Sequence, residues 1–397
     1  MKILKIVYLG VFILFLALFL PRIIDTALGE AKKNPKVYFS ENLNQFLIQG
    51  YDREAKKSYF LTESGDELST ESFMQNLPFK FYSYLLAKGI FPNQYTDWAN
   101  VDKIRANSQI LAIKPSFYNQ KSIPLFTLLE SKPKFLKLQF NNYGIRGKKD
   151  RIEFVNLETL KVDDALSQTY TDALKQSGFI FPLKCYYSNP TTRKVFDEGA
   201  FLQDKRNTIF HLKMVNGKPL VKNTKIKNAT IKKIIIKENQ RKEFYGALID
   251  DSGVKLISYD NYKLIPLPGS MYEPESMVYS LFITPLSKTV IINMDDKVEA
   301  YKLDNSYQIL RNFSFPIEKN NQWMTNIKKY LLPFTLKRKD GYRYEYTLSD
   351  FSFLVLLANA LFVLLYFGLT FKRKVPILHF MIIGVFGIYG FIALCLY

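Results

Sequence analysis

The order of apolar and polar positions divides this chain into a long polar middle and two apolar ends. Apolar runs cover residues 3–20, 351–371 and 376–397, and no run of that length lies between them. At about 1.5 Å per residue, a helix over 351–371 reaches about 31 Å, the thickness of a bilayer core. The pattern therefore predicts a membrane protein with one N-terminal and two C-terminal transmembrane helices.

The first apolar run fits two interpretations. Lys2 and Lys5 give it a positive start, and Ala27 and Gly29 are small residues of the kind that signal peptidase accepts. Its length of about 18 residues exceeds the roughly 7 to 15 of a signal peptide, which favours an uncleaved signal anchor. Either interpretation sends the following segment across the membrane.

Charges near the apolar runs set the predicted orientation. The short loop 372–376 carries three cations, and such loops stay in the cytoplasm. Basic clusters at 337–343 and 22–36 argue for the reverse, but long domains translocate largely regardless of charge. We therefore expect a bacterial inner-membrane protein with its N-terminus inside and its large domain extracytoplasmic.

The polar middle, residues 34–336, alternates apolar and polar positions in short runs that end at turn residues. Such runs begin near residues 58, 152, 199, 245 and 289, and the last four are about 46 residues apart. The segments 109–113 and 121–129 fill the wide first gap as a looser hairpin. Strand hairpins at this spacing are typical of propeller blades. The prediction is a mainly β domain resembling a six-bladed β-propeller, and another all-β sandwich or barrel or a mixed α+β fold remains open.

One segment breaks the strand pattern. Residues 73–88 have helical periodicity and end at Gly89, which predicts a helical insertion near 71–90. The expected organisation is thus a signal anchor and linker at 1–33, a β-rich domain at 34–336, a basic juxtamembrane linker at 337–350 and a transmembrane hairpin at 351–397.

Composition narrows the function classes. The 55 Lys and Arg against 36 Asp and Glu give a net charge of +19, but the cations are scattered and no nucleic-acid motif accompanies them. We expect the lipid bilayer, and no nucleic acid, as a partner. Cys185 and Cys395 form neither a disulfide framework nor a zinc spacing.

Catalytic patterns are missing from the sequence. The polar middle has one histidine, His211, and alternation places it opposite Phe210 and Leu212, as a solvated or hydrogen-bonded sheet residue. Paired carboxylates fall at predicted turns, where aspartate stabilises the bend: Asp163 with Asp164, Asp250 with Asp251, and Asp295 with Asp296. We predict no enzyme activity, no catalytic residue, no cofactor and no metal.

The segment 193–213 is the most distinctive. Arg193 and Lys194 stand close to Asp197 and Glu198 before a strand. The four residues predict either a blade-connecting turn held by local ion pairs or a contact surface for a partner.

A second candidate contact lies in the apolar C-terminus. Gly384, Gly387 and Gly390 form a small-residue strip on the final helix, and Asn359 places an amide near the middle of the helix before it. These residues predict either contact with a helix of another subunit or packing within the hairpin itself.

Short motifs at 77–79 (LPF), 89–92 (GIFP), 178–182 (GFIFP) and 243–246 (EFYG) accompany the 193–213 segment. In these the chain resembles, along nearly its whole length, a family of bacterial membrane proteins described only as a domain of unknown function. The resemblance implies a transport-associated role, because members are often encoded beside ABC-transporter ATPase and permease components. It implies no catalytic residues.

Two function classes follow. In the first, the protein is a non-enzymatic accessory or binding subunit of an ABC-type transport or envelope system, with the permease as its partner. In the second, it is a membrane-bound hydrolase or sensor whose site on the β-domain carries no recognisable motif.

Overall fold

The computed structural model describes residues 2–27, 35–52, 55–119, 124–133, 137–317, 330–339, 345–349 and 353–396. The chain forms two compact units. The helical unit comprises Met1–Asn34 and Ile317–Tyr397, and the β-rich unit is Pro35–Pro316.

The described helices are α1 (Lys2–Ala27), α2 (Thr70–Gln75), α3 (Tyr82–Lys88), a 3-10 helix (Asn93–Trp98), α4 (Val101–Ala106), α5 (Pro115–Asn119), α6 (Asp164–Gln176), α7 (Val355–Thr370) and α8 (Ile377–Cys395). The described strands are β1 (Lys36–Ser40), β2 (Gln45–Asp52), β3 (Lys57–Thr62), β4 (Gln109–Ile113), β5 (Tyr143–Gly147), β6 (Ile152–Asn156), β7 (Val162–Asp163), β8 (Cys185–Ser188), β9 (Ala200–Gln203), β10 (Thr208–Val215), β11 (Lys218–Lys227), β12 (Lys233–Ile236), β13 (Phe244–Asp250), β14 (Gly253–Ser258), β15 (Leu264–Pro266), β16 (Val278–Ile283), β17 (Lys288–Asn293), β18 (Lys297–Leu303), β19 (Ile309–Pro316), β20 (Thr335–Lys339) and β21 (Glu345–Ser349).

Antiparallel sheets dominate the β-rich unit, as the alternating pattern predicts. In its described part the sheets are β1-β2-β3, β5-β6-β7, β8-β9-β10-β11, β12-β13-β14-β15 and β4-β16-β17-β18-β19. Strands that follow each other in sequence pair within each sheet, so each is a meander. β4 is the exception, because it joins the edge of the last sheet beside β16.

The recurring pattern of the sequence marks these sheets one by one. Its five starting points fall in or directly before β3, β6, β9, β13 and β17, which belong to five different sheets. The sixth hairpin, expected over 109–129, was a wrong prediction. β4 pairs with β16, and Phe126 forms an isolated bridge to Ile145. Alternation identifies a strand but does not identify its neighbour, which here comes from the far end of the unit.

The region of the expected helical insertion holds two helices, α2 and α3. Ser69 caps α2 by accepting a hydrogen bond from the Ser72 N–H, and Gly89 ends α3 in the left-handed conformation at φ 69°.

Helix α6 was not expected. Asp163, assigned to a turn together with Asp164, caps α6 by accepting from the Leu166 N–H. Two polar residues on its buried face obscure the apolar stripe, because they bond to strand β6: Ser167 Oγ accepts from the Phe154 N–H at 2.9 Å, and Thr171 Oγ1 accepts from the Ile152 N–H at 3.3 Å.

The helical unit packs α1, α7 and α8 around a core that includes Ala17, Ile383 and Tyr389. Two segments, Val7–Ile24 and Ile377–Cys395, are long and apolar enough to cross a membrane, which suggests membrane anchoring; a signal sequence near the N-terminus has the same character. Helix α7 differs from the prediction for 351–371, because it starts at Val355 and has 16 residues. At about 1.5 Å per residue it reaches about 24 Å, less than a bilayer core. The segment expected as a basic linker contributes to the antiparallel pair β20–β21.

Candidate functional site

The β-rich unit contains a cavity of about 450 Å³ beside the turn from β16 to β17. Its walls come from β1, the segment after α2, and strands β4, β16 and β17. We call it the apolar cavity after its apolar lining residues, which are Val37, Tyr38, Phe39, Leu77, Phe79, Ile110, Phe282, Ile283 and Ile291. A concave site of this volume and lining is typical of small-molecule binding.

One wall of the apolar cavity is a row of directly paired residues. Phe282 in β16 lies opposite both Ile110 in β4 and Thr289 in β17. Successive side chains of a strand point to opposite faces, so the next row packs into the core on the other side. That second row is Leu111, Leu281 and Val290. This part of the sheet has the packed core on one face and the apolar cavity on the other; Ile283, at the end of β16, belongs to the core and also lines the cavity.

Two polar residues of the lining, Glu41 and Gln109, differ in their hydrogen bonding. The Glu41 carboxylate accepts hydrogen bonds from Thr284 Oγ1 and Ser287 Oγ, both at 2.7 Å. Burial raises the pKa of Glu41, and these two hydroxyls offset part of the rise. Gln109 is 3% exposed, and neither polar atom of its side chain has a hydrogen-bond partner in the part of the chain that the structure describes. An unpaired buried amide is unusual and is a reason to look for a ligand.

A second cavity of about 260 Å³ adjoins the first, because Arg105, Lys237 and Asn239 line both. We call it the polar cavity. Its remaining lining residues are Asn189, Thr191, Arg193, Lys194, Val195, Phe196, Glu238 and Gln240. The segment that the sequence singled out, 193–213, thus contributes its first residues to this cavity.

Cations surround the two cavities. Lys80, Arg105 and Lys237 line the apolar cavity, and Arg193 lines the polar one. None of the four forms an ion pair with another described residue; Arg105 Nε donates to Tyr82 Oη at 3.2 Å. Partial burial, followed by the charge of Lys36, lowers the pKa of the Lys80 ammonium. With Lys194, five cations of the described chain line the two cavities against two carboxylates, Glu41 and Glu238, so the lining has an excess of positive charge.

The structure separates the four predicted contact residues of the 193–213 segment. Arg193 is exposed, whereas Lys194, Asp197 and Glu198 are largely buried. Lys194 Nζ donates to the Asp197 carboxylate, and it also donates to Glu238 Oε1 at 2.5 Å. One ammonium thus serves two buried carboxylates. Burial, and then the nearby Glu238, raises the pKa of Asp197 to about 6 in spite of Lys194.

Glu198 anchors a different group of residues. Its carboxylate accepts hydrogen bonds from Lys213 Nζ and from the Tyr259 hydroxyl. Its backbone oxygen lies 2.5 Å from His211 Nε2, and His211 Nδ1 lies 3.0 Å from Tyr262 Oη. Such ion pairs agree with the prediction of a turn held by charges, although Glu238 comes from outside the segment.

His211 is a hydrogen-bonded sheet residue, as one of the two alternatives predicts, and it is buried rather than solvated. It stacks on Phe201, while Phe210 and Leu212 pack into a different core cluster. Burial lowers the pKa of His211 to about 3. The ring is therefore neutral at physiological pH, with both nitrogens engaged.

In the C-terminal hairpin, Asn359 meets the small-residue strip. Asn359 Nδ2 donates to the Gly384 carbonyl at 2.9 Å. A Cβ at Gly387, where φ is 53°, would lie 2.2 Å from Asn359 Oδ1, and one at Gly390 would lie 2.9 Å from the Ile382 carbonyl oxygen. A Cβ at Gly384 would meet nothing within 4 Å. The contact at Gly387 favours packing within the hairpin, whereas the contact at Gly390 lies within α8, across the non-helical backbone of Gly387. Of the three glycines, Gly384 alone has open space.

No pattern in the sequence indicates the apolar cavity. The motif at 77–79 lies in its wall, but nothing in the sequence relates that motif to Ile110 or Phe282. Among the described residues there is no group of three or more His, Cys, Asp or Glu positioned to hold a metal ion.

Residues 36–303 match the profile of a family described as domain of unknown function (DUF4857). No curated protein matches the chain. Among solved structures, a dihydro-heme d1 dehydrogenase NirN in complex with DHE is similar at 10% identity, with a TM-score of 0.21 over 69% of this chain and 72% of that chain. A TM-score this low has no bearing on fold or function.

Proposed function

The chain belongs to the DUF4857 family, and we propose that it is a non-enzymatic, membrane-anchored binding subunit of a bacterial transport or envelope system. The observation that carries the proposal is the apolar cavity, with its unpaired Gln109 amide and its excess of cations. Long apolar helices in the same chain support attachment to a membrane. An anchored protein with a cavity of this kind is suited to capturing a ligand at the membrane surface.

The proposed location is the bacterial inner membrane with the β-rich unit on the extracytoplasmic side. The loop between α7 and α8 supports this orientation, since Lys372, Arg373 and Lys374 follow one another in it. The proposed partner is an ABC-type permease, as the resemblance of the sequence implies.

We further propose that the five meanders form a propeller-like arrangement. Support comes from the spacing of about 46 residues, which marks one strand in each sheet. Binding sites vary widely among proteins that share such a fold, so the fold itself carries no function.

A membrane-bound hydrolase or sensor is the alternative. A hydrolase of the histidine type requires an accessible base, and His211 is 2% exposed with a pKa lowered to about 3. This observation supports the binding function over the hydrolytic one.

The test is purification of the tagged full-length protein from native membranes, followed by mass spectrometry. We expect a permease to co-purify reproducibly. Gly384→Leu, at the one strip position with open space, should abolish the association if α8 contacts the permease. Gly368→Leu is the matched control, because an added Cβ there also meets nothing within 4 Å. Repeated recovery of the wild-type protein without any transporter subunit would overturn the proposed function.

A further inference from the structure

The two adjoining cavities differ in chemistry and share part of their lining. The first has apolar walls and a volume of about 450 Å³, and the second is polar, with a volume of about 260 Å³. Arg105 and Lys237 line both. A molecule whose body fills the apolar cavity therefore places its polar end between these two cations.

We propose that the two cavities form one site for a small amphiphile, with an apolar body and a single anionic carboxylate or phosphate head. The proposal rests on the binding function proposed above and names its ligand class. The volume limits the size of the body: an apolar cavity of about 150 Å³ accommodates the six carbons of benzene, so one three times larger has ample room for a chain of eight carbon atoms.

Charge selects the head group. Arg105, Lys237 and Arg193 are all exposed at the surface and lack ion pairs within the described chain. A guanidinium matches a carboxylate or phosphate with two parallel hydrogen bonds, and an ammonium adds a point charge. The described lining also contains two carboxylates, but Glu238 is paired with Lys194, and the cations of the lining outnumber Glu41 and Glu238.

The lining also holds an amide that lacks partners. Gln109 offers one donor group and one acceptor, and both are buried and unpaired in the described chain. A polar group close to the head of the amphiphile supplies the hydrogen bonds that the protein itself does not.

The experiment measures binding of three probes to the full-length protein in lipid nanodiscs by titration calorimetry, with empty nanodiscs subtracted. The probes are octanoate, octanamide and octylammonium, which share a chain length and differ in the charge of the head. We expect octanoate to bind with a Kd of about 1 mM or tighter, and at least about tenfold more tightly than octylammonium. Octanamide should fall between them.

Variants on exposed positions locate the site without touching the core. Arg105→Gln combined with Lys237→Gln should weaken octanoate binding by about tenfold and leave octanamide binding nearly unchanged. Lys218→Gln, at an exposed lysine in β11 that lines neither cavity, should have no effect.

The apolar cavity is tested in the same way. Ile110 lines the apolar cavity and is 50% exposed, so Ile110→Trp should fill the cavity and weaken the binding of all three probes. Ile309→Trp is the matched control. Ile309 is 54% exposed on β19, at the opposite edge of the same sheet, and does not line the cavity.

Any of three results would overturn the proposal. The first is equal binding of octanoate and octylammonium, and the second is no octanoate binding up to about 10 mM. The third is octanoate binding that neither the Arg105→Gln and Lys237→Gln double variant nor Ile110→Trp weakens. Native mass spectrometry identifies the source of the head group: a co-purified acyl lipid indicates a membrane source, and an empty site that binds octanoate indicates a water-soluble acid. A protein that fails these binding tests but still co-purifies with a permease refutes only the ligand class. One that passes them without a permease refutes only the transporter association.

Discussion

Asp197 should make the stability of the β-rich unit depend on pH in an unusual direction. Its carboxylate shares one ammonium, that of Lys194, with Glu238, and the three side chains are at most 7% exposed. Burial and the second carboxylate raise the pKa of Asp197 to about 6, against 3.8 for the free residue. Between pH 3.8 and about 6, the folded state therefore holds a proton at Asp197 that the unfolded state has already lost.

The sign and the size follow from linkage. A carboxyl with a raised folded-state pKa contributes its full stability below pH 3.8 and loses it as the pH rises through about 6. At about 1.4 kcal/mol for each pH unit, the loss amounts to about 3 kcal/mol across this window. The usual buried, paired carboxylate has a depressed pKa and behaves in the opposite way.

The assay compares urea unfolding of the full-length wild type and Asp197→Asn in nanodiscs, followed by intrinsic fluorescence between pH 4 and pH 7. The amide does not titrate, so the unfolding free energy of the variant minus that of the wild type should increase by about 2 kcal/mol between pH 4 and pH 7. The absolute effect of the substitution cancels in this comparison. Asp251→Asn is the control, because it makes the same substitution at a side chain that is 64% exposed.

A difference that changes by less than about 1 kcal/mol between pH 4 and pH 7 would refute the reasoning. It would mean that Asp197 ionises as it does in water and that one ammonium suffices for both carboxylates. Lys194→Met supplies an independent check, because loss of the shared cation should raise the pKa of Asp197 further. The unfolding free energy should then continue to fall as the pH rises above 6.

Two further predictions concern the orientation of the chain in the membrane and the packing of the helical unit. A reporter fused after Tyr397 and another inserted near Gly217 should both be active outside the cytoplasm, and cytoplasmic activity at Gly217 would refute the proposed orientation. Gly387→Ala should lower the free energy of unfolding of the protein in nanodiscs by about 1 to 3 kcal/mol. The reason is that the added Cβ would meet Asn359 Oδ1 at a residue with positive φ. Gly384→Ala should have little effect, since its position is open, and equal effects of the two substitutions would contradict the packing of Asn359 against Gly387.

Local alternation predicted strands such as β18, because one buried face and one more exposed face leave a period of two in the sequence. The points near 152 and 245 fall within β6 and β13, where nearly every residue is buried, so their short runs bounded by turn residues were the signal instead. Helix α6 was not predicted, because Ser167 and Thr171 occupy its buried face, where an amphipathic pattern requires apolar residues. Their hydroxyls bond to the backbone of β6, and a pattern of hydrophobicity contains no information on such a partner.

The apolar cavity could not be predicted, because its wall depends on register between distant segments. Ile110 and Phe282 line it only because β4 pairs with β16 and not with its neighbours in sequence. A slip of β4 by one residue against β16 would turn Ile110 away from the apolar cavity and bring Leu111 to it, while β17 would hold Phe282 in place. Pairing between distant strands is therefore the step that creates the site.

Arg193 and Lys194 show how the fold gives different roles to neighbouring residues of the same charge. Lys194 is largely buried and pairs with both Asp197 and Glu238, which holds the loop against the segment after β12 that carries Glu238. Arg193 is exposed on the same lining and has no described ion pair. Lys194 offsets one of the two carboxylate charges, and Arg105, Arg193 and Lys237 outnumber the one that is left among the described residues. The lining of the polar cavity therefore keeps a positive charge in spite of the buried carboxylates.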